Sequence, residues 1–292
     1  MTPTLSAPAN SAATQLPPGS CDCHAHVFGP FERYPLADPR PYTPPPAPFD
    51  SYLEMLTRTG FSRGVLVHGG ASGWDQSATR DALAAARDRL RGVAVVPLST
   101  PDSTLAELQS VGFRAIRFTE VAGPNAAKPF AGRLGLSDLR AFAPRLRELG
   151  WHAQIWANCQ FFENHESTLR ALELPVVIDH MGYFDVARGV LDSAFQTLLR
   201  LLADGIAWVK VTAFRNSKGG TGYEDVKPFM EALVATRPDR LLWGSDWPFL
   251  GMSGAGRPDP ARLVATLLEW VPDTVVREQI LVHNPAALYG FA

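Results

Sequence analysis

Hydrophobic and polar positions along this chain change period repeatedly. Short apolar runs of strand character are followed by longer stretches with helical spacing, the order expected of successive βα units around a parallel sheet. Eight runs read as strands: residues 21–28 (CDCHAHVF), 63–69 (RGVLVHG), 91–98 (RGVAVVPL), 112–118 (GFRAIRF), 151–157 (WHAQIWA), 175–181 (PVVIDHM), 207–212 (AWVKVT) and 240–246 (RLLWGSD). Helices are expected between them at residues 50–60, 75–92, 136–150, 191–205 and 223–237, the first with an aspartate cap and a closing glycine. Eight such units predict an α/β fold, a single (β/α)8 TIM barrel. The runner-up, a doubly wound open sheet, lacks a G-x-G-x-x-G or G-K-[ST] turn after any strand. The proline-rich stretch at residues 36–49 reads as a rigid first loop rather than a linker.

Composition agrees with one large core. The chain has 292 residues, 46% of them hydrophobic and 19% charged, with a formal charge of -2. A barrel of that length folds as one unit, and the near-neutral balance gives no bias toward nucleic acid or an acidic membrane surface. A small-molecule partner is expected. The opening residues 1–20 have neither a basic start nor an apolar stretch, so they read as a disordered arm before a catalytic domain at 21–292. Cys21, Cys23 and Cys159 are an odd number without C-x-x-C spacing, which suits a reducing, cytoplasmic setting. Nothing in the pattern speaks to oligomeric state.

In a parallel barrel the chemistry lies at the C-terminal strand ends. Those ends are polar here: His24 and His26, Arg117, Trp156, Asp179 and His180, Lys210 and Thr212 leading to Arg215, then Asp246. A strand has a period of two, so Asp22, His24 and His26 are expected on one face, with Cys23 on the other and a poor nucleophile. Together, His24, His26, His180 and Asp246 read either as ligands for one divalent cation or as acid–base machinery around a carbonyl. Structural readings stand beside these: His24 and His26 as a buried pair, Asp246 as a turn cap, Arg117 and Arg215 as salt-bridge partners at the barrel mouth. His68 ends its strand and could enter the site, whereas His152 begins its strand and belongs at the other mouth. His165 and His283 read as peripheral, and Arg114 as structural.

The motifs DCHAHVFGP, YTPPPAP, GFRAIRF, IDHMG, WGSDWPF and VHNPAALYGF, in that order, resemble the amidohydrolase superfamily, in particular its branch of 2-pyrone-4,6-dicarboxylate and sugar-acid lactonases. The resemblance runs from about residue 21 to the C-terminus. It implies a (β/α)8 barrel that hydrolyses a lactone or similar carboxylic ester. By it, Asp246 is the general base that activates water, and His24, His26 and His180 polarise the carbonyl oxygen. Arg117 and Arg215 match positions that bind substrate carboxylates, and Tyr42 a first-loop residue that contacts substrate. The branch also implies no required metal, which is the favoured expectation. One zinc held by His24, His26, His180 and Asp246 is the alternative, and a two-metal site is disfavoured by Arg117 and Trp156 at strand ends where ligands would be needed.

Departures from the branch bear on the substrate. Tyr183 stands after DHMG where an arginine is usual, Trp156 replaces a tyrosine, and the basic residues after the fourth strand are thinned to Lys128. Fewer cations and more aromatic surface predict a small anionic lactone, singly charged rather than a dicarboxylate, from aromatic-compound or sugar-acid breakdown, with Trp156 and Tyr183 among its contacts. Zinc-dependent decarboxylation of an unsaturated or aromatic acid, and lactone isomerisation, are the competing activities.

Overall fold

A computed structural model describes residues 16–120 and 130–292. Eight parallel strands follow one another in chain order: β1 Cys21–Ala25, β2 Arg63–Val67, β3 Leu90–Ala94, β4 Phe113–Thr119, β5 His152–Trp156, β6 Val176–Ile178, β7 Ala207–Val211 and β8 Leu241–Trp243. The ring closes beyond the last strand, where His26 N–H donates to the Trp247 carbonyl and Asp246 N–H to the His24 carbonyl, both at 2.8 Å. Closure needs close approach. A Cβ on Gly244 would lie 2.6 Å from the Cβ of His24, so only glycine lets the end of β8 lie against β1.

Helices form the outer layer: α1 Phe49–Thr59, α2 Ser77–Ala85, α3 Asp102–Val111, α4 Leu136–Leu149, α5 Cys159–Asn164, α6 Glu166–Arg170, α7 Ser193–Ala203, α8 Lys227–Thr236, α9 Pro260–Trp270, α10 Thr274–Glu278 and α11 Asn284–Tyr289. None is long and apolar enough to cross a membrane. α1 ends on left-handed Gly60 as its sequence predicts, but Pro48 is its N-cap and Asp50 lies in the first turn, beside the positive end of the helix dipole. α2 is shorter than its periodic stretch. It stops at Ala85 because the Arg89 carbonyl is needed by Gly64 N–H and Leu90 already pairs with β2.

Two apolar layers result. Cys21, Cys23, Val65, Val93, Ala115, Val177, Trp208 and Leu242 fill the barrel interior together with Tyr289 and Phe291, while Leu66, Ile116, Ile155, Ile178 and Val209 face the helices. Residues 16–20, assigned to the arm by their composition, are part of this body. Leu16 is buried beside Gly60, and the Ser20 carbonyl accepts Ser62 and Arg63 N–H at 3.1 Å. The rest of the expected arm, 1–15, and the segment 121–129 with Lys128 lie outside the described residues.

Candidate active site

β1 does not keep strict alternation. Its register against β2 shifts between Asp22 and Ala25, an extra residue on one strand that re-aims the side chains around it. Asp22 therefore parts from His24 and His26. Its carboxylate accepts Tyr52 O–H of α1 at 3.2 Å, Ser245 N–H at 2.8 Å and Ser245 O–H at 2.6 Å, tying β1 to the end of β8. Burial raises its pKa to about 6, against these hydrogen bonds. Cys23, expected on the opposite face from the histidines, joins the barrel interior instead. The period-of-two expectation fails here because the bulge breaks the period.

Beyond the bulge the expected residues converge. Asp246 Oδ1 lies 3.3 Å from His26 Nε2 and 3.6 Å from His24 Nε2, and Oδ2 lies 3.8 Å from His180 Nε2 and accepts from Arg215 Nε. Burial would raise the Asp246 pKa, but the Arg215 guanidinium and then His180 outweigh it, so the carboxyl is held well below its ordinary range. The backbone is strained at this point: Asp246 and His180 adopt φ of 57° and 50°, a left-handed conformation that non-glycine residues rarely hold.

These groups open onto a cavity of about 190 Å³ whose walls include His26, Tyr42, Arg117, Trp156, His180, Tyr183, Arg215, Asp246, Leu250 and Gly251. His24 lies beneath it, fully buried. Tyr42 reaches the wall over Phe28, ring centroids 6.4 Å apart, and Gly69 leaves the space both rings occupy. The Arg117 guanidinium lies over the Trp156 ring at 5.1 Å, and Trp156 faces Tyr183 at 6.1 Å. Arg215, expected to grip a substrate carboxylate, is engaged by Asp246 and by the Leu250 carbonyl at 2.9 Å. His68 stays out of the cavity: its Nε2 meets the Gly73 carbonyl at 2.8 Å, and burial lowers its pKa to about 4. His152 is buried at the other end of the barrel beside Tyr289, and His283 is exposed near Glu278.

Sequence reasoning placed Asp179 and Lys210 at polar strand ends but gave them no role, and it passed over Gln154 in the layer below. Asp179 Oδ2 accepts Arg117 Nε and Gln154 Nε2, both at 3.1 Å, while Oδ1 lies 3.2 Å from His24 Nδ1 and 3.6 Å from Lys210 Nζ. Lys210 donates to Gln154 Oε1 at 2.7 Å. Burial alone would raise the Asp179 pKa, but His24, Lys210 and Arg117 hold it well below its usual range. The signal was present in the strands themselves, since Gln154 and Lys210 are polar residues at inward positions of otherwise apolar runs.

The ring nitrogens bear on a metal. His26 Nδ1 faces the Val67 carbonyl at 2.7 Å, which assigns the proton of a neutral ring to Nδ1 and leaves Nε2 a lone pair toward Asp246. His24 Nε2 is buried without a hydrogen-bond partner. Two ring nitrogens and one carboxylate oxygen thus meet, and His24, His26 and Asp246 fit a single divalent cation. His180, counted with them in the sequence, groups instead with His24 and Asp179.

The profile of the family described as "Amidohydrolase" matches residues 21–291. The chain is 38% identical over 280 residues to the 4-sulfomuconolactone hydrolase of Rhizobium radiobacter, covering 94% of this chain and 91% of that protein. It is 33% identical over 285 residues to the 2-pyrone-4,6-dicarboxylate hydrolase of Comamonas testosteroni, covering 94% and 91%. A crystal structure of an Agrobacterium tumefaciens protein superposes with a TM-score of 0.84 at 26% identity, covering 96% of this chain and 98% of that one.

Proposed function

Since this chain belongs to the amidohydrolase family, we propose that its barrel mouth hydrolyses a lactone carrying an anionic group, as the names of its relatives say of them. The observation that carries this reading is the seat of Asp246. It is a carboxylate kept ionised by Arg215, at a cavity whose walls also hold an arginine and aromatic rings.

Asp246 accepts a proton from water as the water oxygen attacks the lactone carbonyl, and returns it to the ring oxygen when the C–O bond breaks. The net change is one water consumed and one hydroxy acid formed. His180 lies on the carbonyl side of Asp246, where the oxyanion develops, while His24 and His26 turn Nε2 lone pairs, suited to a cation, toward the same point. Arg117 pairs with the substrate anion, while Trp156, Tyr183 and Tyr42 cover the ring and exclude water. We further infer that His24, His26 and Asp246 hold one divalent ion, where the sequence favoured none. Such an ion, when bound, supplies Lewis-acid polarisation of the carbonyl.

Arg215 gives Nε to Asp246 and Nη1 to the Leu250 carbonyl, whereas Arg117 gives Nε to Asp179 and lies over Trp156 at the cavity wall, so we assign the substrate anion to Arg117 and read the lactone as singly charged. A panel of mono- and dianionic lactones tests this: kcat/KM should favour the monoanions, and a preference for dicarboxylates overturns it. Elemental analysis should give one zinc per chain, with turnover lost on chelation and restored by zinc. Full turnover by zinc-free protein removes the metal from the account. The buried, free Cys21, Cys23 and Cys159 support placing the enzyme in the cytoplasm, and the cavity of about 190 Å³ supports a small-molecule substrate.

A further inference from the structure

The mechanism leaves a fully buried lysine unused. Lys210 lies beneath His24 with Nζ 3.3 Å from His24 Nδ1, 3.6 Å from Asp179 Oδ1 and 2.7 Å from Gln154 Oε1. A buried ammonium costs several kcal/mol to desolvate unless it is paired. We propose that Asp179 and Lys210 are positioning residues, a buried clamp that keeps the proton of His24 on Nδ1 and its Nε2 lone pair aimed at Asp246. The inference rests on the lactonase reading for its catalytic consequence, though not for the proton position itself.

The argument is one of donors and acceptors. Asp179, paired with Arg117 and Lys210, is acceptor-only, and its Oδ2 is taken by Arg117 Nε and Gln154 Nε2. That leaves Oδ1, which is buried with no other hydrogen-bond partner and lies 3.2 Å from His24 Nδ1, to receive the imidazole N–H; Lys210 Nζ, the competing donor 3.3 Å from the same Nδ1, already gives a hydrogen bond to Gln154 Oε1 at 2.7 Å. Gln154 cannot turn over to interfere: its amide nitrogen is bound to Asp179 and its amide oxygen to Lys210. With the proton on Nδ1, the buried and unpartnered Nε2 presents a lone pair 3.6 Å from Asp246 Oδ1. Lys210 offsets the charge of Asp179 and fixes Gln154, so the carboxylate stays where the ring needs it. A carboxamide in place of such a carboxylate can present N–H to the ring and reverse the tautomer.

The test reads proton position directly, by nitrogen NMR of the histidine-labelled full chain as purified and after chelation, with His24→Gln assigning the signal. Wild type should carry the His24 proton on Nδ1 in both states. In chelated Asp179→Asn the proton should move to Nε2 or divide between the nitrogens. In the same variant zinc affinity should fall about 10–100-fold, and kcat should fall with KM kept within about threefold. Lys210→Met should show the same direction with a smaller effect. An Nε2–H tautomer in chelated wild type overturns the proposal, as does an Asp179→Asn variant with unchanged tautomer and kcat. If a variant does not fold, the wild-type tautomer decides alone. Wild-type protein that turns over no lactone counts against the proposed function, and the ring-nitrogen result still stands.

Discussion

The two ends of the barrel interior differ by one strand period. Ala115 packs in the apolar base and Arg117 lines the cavity; Val177 precedes Asp179 in the same way, and Trp208 precedes Lys210. At the base the interior is held by packing, and at the mouth by charges that pay for burial only because each has a partner. Two residues along a strand therefore separate what stabilises this protein from what can react.

The largest effect should come from breaking the mouth. Asp246→Asn keeps the shape of the side chain and removes the base, so kcat should fall by about two orders of magnitude or more with circular dichroism unchanged. Arg117→Ala should come next, raising KM about tenfold or more for an anionic lactone while affecting an uncharged lactone less. At the base the currency changes. Val65→Ala should cost about 1–3 kcal/mol in denaturant unfolding and leave kcat within about twofold.

The smallest effect is a pH dependence of the base. Burial lowers His152 to about 3, so the folded chain leaves it neutral through mild acid. In the unfolded chain it takes up a proton near pH 6.5. The unfolded state then binds more protons between about pH 6.5 and 3, and stability falls as pH drops through that window. His152→Leu should flatten this part of the melting-temperature profile relative to wild type, with kcat at neutral pH unchanged. An unaltered profile would separate His152 from the acid response.

The eight strands were legible because each is an apolar run bounded by turn residues, and the runs end where the chemistry begins. Asp246, His26, His180 and the five expected substrate contacts all reach one cavity, because strand ends in a parallel barrel point to one mouth. Three features escaped. The β1 bulge was hidden because an extra residue leaves no mark in the hydrophobic pattern. Arg215 pairs at the mouth as its salt-bridge reading expected, but its choice of Asp246 depends on loop geometry after two different strands. Gln154 stands opposite Arg117 in the sheet register, and Asp179 and Lys210 meet across the interior, relations that a single strand does not carry.

The central claim is that water, activated at Asp246, ends up in the product. Turnover of an anionic lactone in heavy-oxygen water, followed by mass spectrometry, tests it most directly. The account predicts one solvent oxygen in the newly formed carboxylate and no carbon dioxide. Release of carbon dioxide, or an unlabelled isomeric lactone, would contradict it.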